Sequence, residues 1–223
     1  MEKLNDINWL GHASFFLEDK VSGNRVYYID PFDLRDKKLP KGDLVFITHA
    51  HSDHLSLEDL KKILKDDTFL IAPSDCLDRV DVGKNRKFPV LPNKEYNVKN
   101  LNFQTIPAYN IKPERLSFHP KENNWVGYII TLNNKKIYHA GDTDYIPEMD
   151  SLKDLNLDIA LLPMGGTYTM GVEETIKAAN SIQALITIPI HYRRNLGKAY
   201  DQAEKKLKEE VKNSRVVILE EFE

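Results

Sequence analysis

The sequence predicts an α/β protein whose sheets are covered by helices. The first half is crowded with short strand-like runs, and the second half alternates strands with amphipathic helices. No repeat, low-complexity tract or Gly/Ser/Pro-rich linker interrupts the 223 residues, so one domain spanning 1–223 is expected.

The elements follow in order. INWLGHASFFLED and NRVYYID read as β-rich runs joined by a hairpin turn at Val21-Ser22-Gly23-Asn24. DLVFITH is a short buried strand. Ser56 then caps a helix over SLEDLKKILKD, with Asp59 at the capping-box position and Leu57, Leu60, Ile63 and Leu64 on one face. TFLIAPS is the next strand. KEYNVKNLNFQTIPAY is a pair of strands turning near Lys99-Asn100, and NWVGYIITLNNKKIYHAGD a hairpin turning at Asn133-Asn134. Beyond these, LDIALLP, ALITIPIH and RVVILEE read as strands, with helices over VEETIKAANSI and AYDQAEKKLKEEVKN. The Lys and Glu residues of the last helix read as a solvated face.

Composition narrows the function. Apolar and charged fractions of 41% and 29% are ordinary for a globular protein. A net charge of −3 with no long basic run disfavours a general nucleic-acid binder. MEKLNDINWL lacks the basic start and apolar core of a signal peptide, and no apolar run approaches membrane-spanning length. The lone Cys76 cannot form an internal disulfide and reads as a small buried hydrophobe. A cytoplasmic protein without a membrane partner is expected, with homo-oligomerisation left open.

The strand ends carry the chemistry. NRVYYI runs into Asp30-Pro31, and DLVFIT into His49-Ala50-His51-Ser52-Asp53-His54. KKIYHA runs into Gly141-Asp142-Thr143-Asp144, LDIALLP into Met164-Gly165-Gly166, and ALITIPI into His191. Sites in α/β architectures gather at that carboxyl edge. Imidazole and carboxylate without thiolate suit a divalent ion, zinc or manganese before iron. His49 and His51 alternate about Ala50, so an extended segment aims both the same way, while Asp53 and His54 reach a second point. Two adjacent ions would share and acidify a water, and Asp142 is the natural bridge.

HAHSDH matches the HxHxDH signature of the metallo-β-lactamase superfamily. With NWLGHASF, IDP, YHAGDTD, LLPMGGTYTM and PIHY, the chain from about residue 8 to 192 resembles one branch of it. That branch is the cytoplasmic metal-dependent hydrolases related to ascorbate-6-phosphate lactonase and, more distantly, to N-acylphosphatidylethanolamine phospholipase D. The resemblance implies a four-layer αββα sandwich. It implies His49 and His51 on one metal, Asp53, His54 and His191 on the other, Asp142 bridging, and Asp30 steadying the histidine loop. The family usually supplies a further histidine where this chain reads Pro107-Ala108-Tyr109-Asn110. His119, nine positions after Asn110, is the replacement ligand, a substrate contact, or an incidental loop residue.

Other residues have two readings. His12, on the first strand, faces the site or is a hydrogen-bonded core histidine, and His139 reads as a satisfied residue behind the GDT turn. Gly165, Gly166 and Tyr168 precede a helix whose amino terminus either receives a substrate anion or is simply capped. Arg193 lines an anionic pocket or is a surface arginine. The expected protein is a metal-dependent hydrolase in which a metal-bound hydroxide attacks an ester, lactone or related bond of a small molecule, neutral or anionic. Asp53 would orient the nucleophile and shuttle its proton. A phosphodiesterase or nuclease on the same residues, a di-iron redox centre, and a non-catalytic metal-binding or sensing protein are the rival classes.

Overall fold

The computed structural model describes residues 4–21 and 23–223; Ser22 of the expected turn and the first three residues of MEKLNDINWL lie outside the described residues. The chain divides into two units, one running to Val90 and completed by Glu220–Glu223, the other Leu91–Leu219.

The first unit is built on a six-stranded mixed sheet of β1 (Ile7–Gly11), β2 (Ser14–Asp19), β3 (Arg25–Ile29), β4 (Leu44–Phe46), β5 (Phe69–Ala72) and β6 (Lys87–Pro89), in sequence order. β1 to β3 form an antiparallel meander, and β3 to β6 run parallel. The run INWLGHASFFLED is therefore two strands and not one. Gly11 and His12 take φ of 108° and 52°, the left-handed region in which the chain can reverse, and Trp9 Nε1 donates to the His12 carbonyl at 3.1 Å. α1 (Leu57–Ile63) is capped by Ser56, whose Oγ accepts from the Asp59 amide. Leu60 and Ile63 are buried, but Leu57, in the first turn, is exposed. A short α2 (Ser74–Leu77) and β6 had no periodic signal in the sequence.

The second unit has a seven-stranded mixed sheet. Its antiparallel half is β7 (Lys94–Val98), β8 (Leu101–Pro107), β9 (Val126–Leu132) and β10 (Lys135–His139). β11 (Ile159–Pro163), β12 (Ile186–Ile190) and β13 (Arg215–Val216) continue it in parallel. Both hairpins turn where expected, with positive φ at Lys99-Asn100 and Asn133-Asn134, as a two-residue turn of matching twist requires. β11 and β12 are buried at every position, the mark of parallel strands covered on both faces. The helices are α3 (Val172–Ile182), a short α4 (Arg193–Leu196) and α5 (Tyr200–Glu210). RVVILEE pairs as a strand only at Arg215–Val216; farther on, the Phe222 amide donates to the Trp9 carbonyl in the first unit. Among the described residues, no helix is long and apolar enough to cross a membrane.

Two mixed sheets with helices make the fold α/β, as the strand and helix pattern predicted, and metallo-β-lactamase-like, as the resemblance implied. The polar endings fall just beyond β3, β4, β10, β11 and β12, so the carboxyl-end regularity of the sequence is a property of the fold.

Candidate functional site

In the first unit, one buried carboxylate organises the histidine loop. Asp30 follows β3 with φ of 46° and is fully buried, a left-handed backbone that a non-glycine residue adopts at a cost. Its carboxylate accepts the Thr48 amide at 2.7 Å, the Thr48 hydroxyl at 2.6 Å and His54 Nδ1 at 2.7 Å. An ionised carboxylate only accepts, so His54 carries its proton on Nδ1 and presents Nε2 as a lone-pair donor. The Thr48 proton points at Asp30, so at 2.9 Å His49 Nδ1 donates to Thr48 Oγ1, and His49 too presents Nε2. His49 Nε2 lies 3.0 Å from His51 Nδ1. His12 Nε2 lies 3.0 Å from Asp53 Oδ2, and the donor atoms of His12, Asp53 and His54 all fall within 4.8 Å of one another. His12 is thus held in the β1–β2 turn against Asp53, not on the first strand.

In the second unit, Asp142 follows β10 and is buried, its Oδ2 lying 3.3 Å from His119 Nε2 and 3.2 Å from His191 Nε2. His191, just past β12, has φ of 54°. Gly165 is needed beside it, since a Cβ there would lie 2.5 Å from the His191 carbonyl oxygen. His119 is delivered by the loop that begins at the buried Asn110. The Asn110 amide nitrogen reaches the Arg115 carbonyl at 2.9 Å, the Tyr168 carbonyl at 2.8 Å and His119 Nδ1 at 3.1 Å. Arg115 is buried and meets Asp144 at 2.5 Å, Glu174 at 2.8 and 3.0 Å, and the carbonyls of Thr169 (2.5 Å) and Gly166 (3.3 Å). Asp144 Oδ2 also accepts the Ile111 and Lys112 amides, each at 2.9 Å.

These donor sets fit a metal ion. Ligands on one ion at bonds of about 2.0–2.2 Å and near-tetrahedral angles stand roughly 3.3 Å apart. The separations of 3.0 Å at His49/His51 and of 3.2 and 3.3 Å about Asp142 match that edge, and every donor is imidazole nitrogen or carboxylate oxygen.

Some candidates have other work. Arg193 Nε donates to Tyr192 Oη at 3.2 Å, and its Nη2 reaches Glu204 and the Leu219 carbonyl at 3.4 Å, so it ties α4 to α5 and the final segment. At the α3 amino terminus Glu174 accepts the Gly171 amide at 3.2 Å, which caps the helix from within. Gly166 takes φ of 80° in that turn, and the Tyr168 side chain is exposed. His139 Nδ1 accepts the Gly141 amide at 3.2 Å, which makes it a support of the GDT turn. Cys76 is buried, and burial pushes its thiol far above its ordinary value, so it is no nucleophile. Thr48, Arg115, Asp144 and Glu174 were missed as organisers; only Asp144, beside the strand-end aspartate, had a signal.

A family model described as the Beta-lactamase superfamily domain matches residues 6–191, a span holding every expected ligand. A UPF0173 metal-dependent hydrolase of Methanoculleus marisnigri is 34% identical over 197 residues, 83% of this chain and 80% of that one. Another, from Nanoarchaeum equitans, is 30% identical over 233 residues and 97% of each chain. A solved structure from Parabacteroides distasonis, assigned as a metal-dependent hydrolase, superposes with a TM-score of 0.81 at 30% identity, covering 97% of this chain and 93% of that one. The chain belongs to the UPF0173 metal-dependent hydrolases of the β-lactamase superfamily.

Proposed function

We propose that residues 1–223 act as one cytoplasmic hydrolase domain that cleaves an ester or lactone of a small molecule with two divalent ions, zinc or manganese. His49, His51 and His119 would hold one ion, Asp53, His54 and His191 would hold the other, and Asp142 would belong to both sets. The observation that carries this reading is the relay from Asp30, which sets the protons of His49 and His54 so that both offer Nε2. Divalent ions held there would supply Lewis acidity and lower the pKa of a water. The chain's own residues do the rest. Asp30 and Thr48 hold the imidazoles in the ligating tautomer. Asp53, steadied by His12, orients the nucleophile and takes its proton. Asn110 replaces the family's usual histidine by seating His119 beside Asp142. The likeness to lactonases noted in the sequence puts lactones first among substrates, ahead of phosphodiesters.

The test is metal content of the protein purified without added metal, beside His119→Ala. About two ions per chain, falling toward one in the variant, is the expected result. One or none in both would sink the dinuclear reading. A screen of lactones, esters and phosphodiesters follows, and turnover confined to phosphodiesters would replace the bond assigned here.

A further inference from the structure

Eight large hydrophobic side chains are exposed among the described residues, and four of them, Ile111, Leu116, Phe118 and Tyr168, sit in two short loops of the second unit. These are 36% to 47% exposed, a cost in water that scattered surface leucines also bear, but here they cluster. The Phe118 and Tyr168 rings meet edge to face at 4.8 Å. The loops are pinned from beneath by polar groups: Asn110 bonds the Tyr168 carbonyl, and Arg115 bonds the carbonyls of Gly166 and Thr169. The patch is preorganised, and it adjoins the donors directly, because Phe118 precedes His119 and the Asn110 amide touches both the His119 ring and the Tyr168 backbone.

We infer that Phe118 and Tyr168, with Leu116 and Ile111, form an apolar lip that binds the acyl or aryl portion of the substrate. The inference rests on the ester or lactone reading above and adds the class of group flanking the cleaved bond. Charge supports it. Both cations of the loop are matched, Lys112 to Glu174 at 2.8 Å and Arg115 to Asp144 and Glu174, and Arg193 is taken by Tyr192 and Glu204. A group seated here therefore meets hydrocarbon before it meets positive charge. Size favours a small molecule over a second copy: four side chains at such exposure offer roughly 400 Å², the range of a functional patch, against about 800 Å² per partner in a stable interface.

The experiment is calorimetric titration of the zinc-loaded protein with octanoate and with acetate, in the wild type and in the Phe118→Ala/Tyr168→Ala double variant. Both positions are exposed, so the variant is expected to keep its fold, which its melting curve verifies. Octanoate should bind about tenfold or more tightly than acetate, since full burial gives roughly fourfold per methylene and a lip buries only part of the chain. The double variant should bring the ratio within about threefold. A ratio near one in the wild type, or one unchanged in the variant, overturns the lip. So does a wild-type dimer in sedimentation that the variant converts to monomer while octanoate and acetate bind alike, because the patch is then an interface between copies. A parallel assay on esters of increasing chain length separates the two readings. A retained octanoate preference with no ester hydrolysed would reject the reaction and keep the lip, whereas hydrolysis indifferent to chain length would keep the reaction and reject the lip.

Discussion

The histidine loop of the first unit and the 110–119 loop of the second each present imidazole, but they are held by opposite means. Residues 48–54 leave a buried strand and hang on one carboxylate, Asp30, three of whose contacts lie between 2.6 and 2.7 Å. The loop carrying His119 has no regular structure beyond turns and hangs on a spread network through Asn110, Arg115, Asp144 and Glu174. Concentrated support makes ligation sensitive to one atom, and spread support makes folding sensitive to one charge. Substitutions on either side measure that difference.

The largest effect is expected at Arg115. Arg115→Met keeps the length of the chain but leaves buried Asp144 facing a thioether, and removing one partner of a buried ion pair typically costs about 3–5 kcal/mol. Urea unfolding with a midpoint shift of that size would confirm that the loop is charge-locked. A loss under about 1 kcal/mol would mean that Asn110 and the backbone hold the loop without it.

Asp30→Asn comes next and strikes ligation more than folding. Its amide would point N–H at Thr48 or at His54 Nδ1, so at least one imidazole must change tautomer and give up its Nε2 lone pair. Loss of such an outer support costs about 10–100-fold in metal affinity. Competition with a chelator measures it, and unchanged affinity would break the claim that one carboxylate sets both histidines.

The same contrast explains what was legible in the sequence. THAHSDH, GDTD and PIHY stand at the ends of apolar strands, and strand periodicity places them without tertiary knowledge. Asn133-Asn134 was legible because few residues accept the positive φ that its turn needs. The split of INWLGHASFFLED was missed because His12, not a usual turn residue, takes φ of 52° there. Arg115 was invisible for a different reason. One arginine in an irregular loop has no period, and its partners lie 29 residues on at Asp144 and 59 on at Glu174. Leu57 was misjudged because apolar spacing gives a helix its face but not where that face begins to be covered.

A smaller effect sharpens the comparison at the helix that follows the histidine loop. Ser56→Ala removes the cap of α1 and one hydrogen bond to Asp59, at about 1 kcal/mol of stability. Asp59 keeps its other bonds, to the amides of Asp33 and Leu34 and to Lys62. Metal affinity should therefore stay at the wild-type value, and a tenfold drop would show that the helix, not Asp30 alone, positions His54.

The smallest effect is a pH dependence confined to the second loop. Burial pushes the Glu174 carboxyl up, but Lys112, Arg115 and the Gly171 amide outweigh it and hold it net below its ordinary value of 4.5. A carboxyl with a depressed folded value contributes stability that is complete above 4.5 and is lost as the pH falls through the folded value. The wild type should thus lose stability on acidification below 4.5, and Glu174→Gln should remove this part of the slope while lowering stability at neutral pH. Because Glu174 is only partly enclosed, water screens its pairs and the change in slope is modest. Melting curves between pH 3 and pH 7 read it directly. If the variant and the wild type fall in parallel, Glu174 only caps α3, and the charge lock on the 110–119 loop reduces to Arg115 with Asp144.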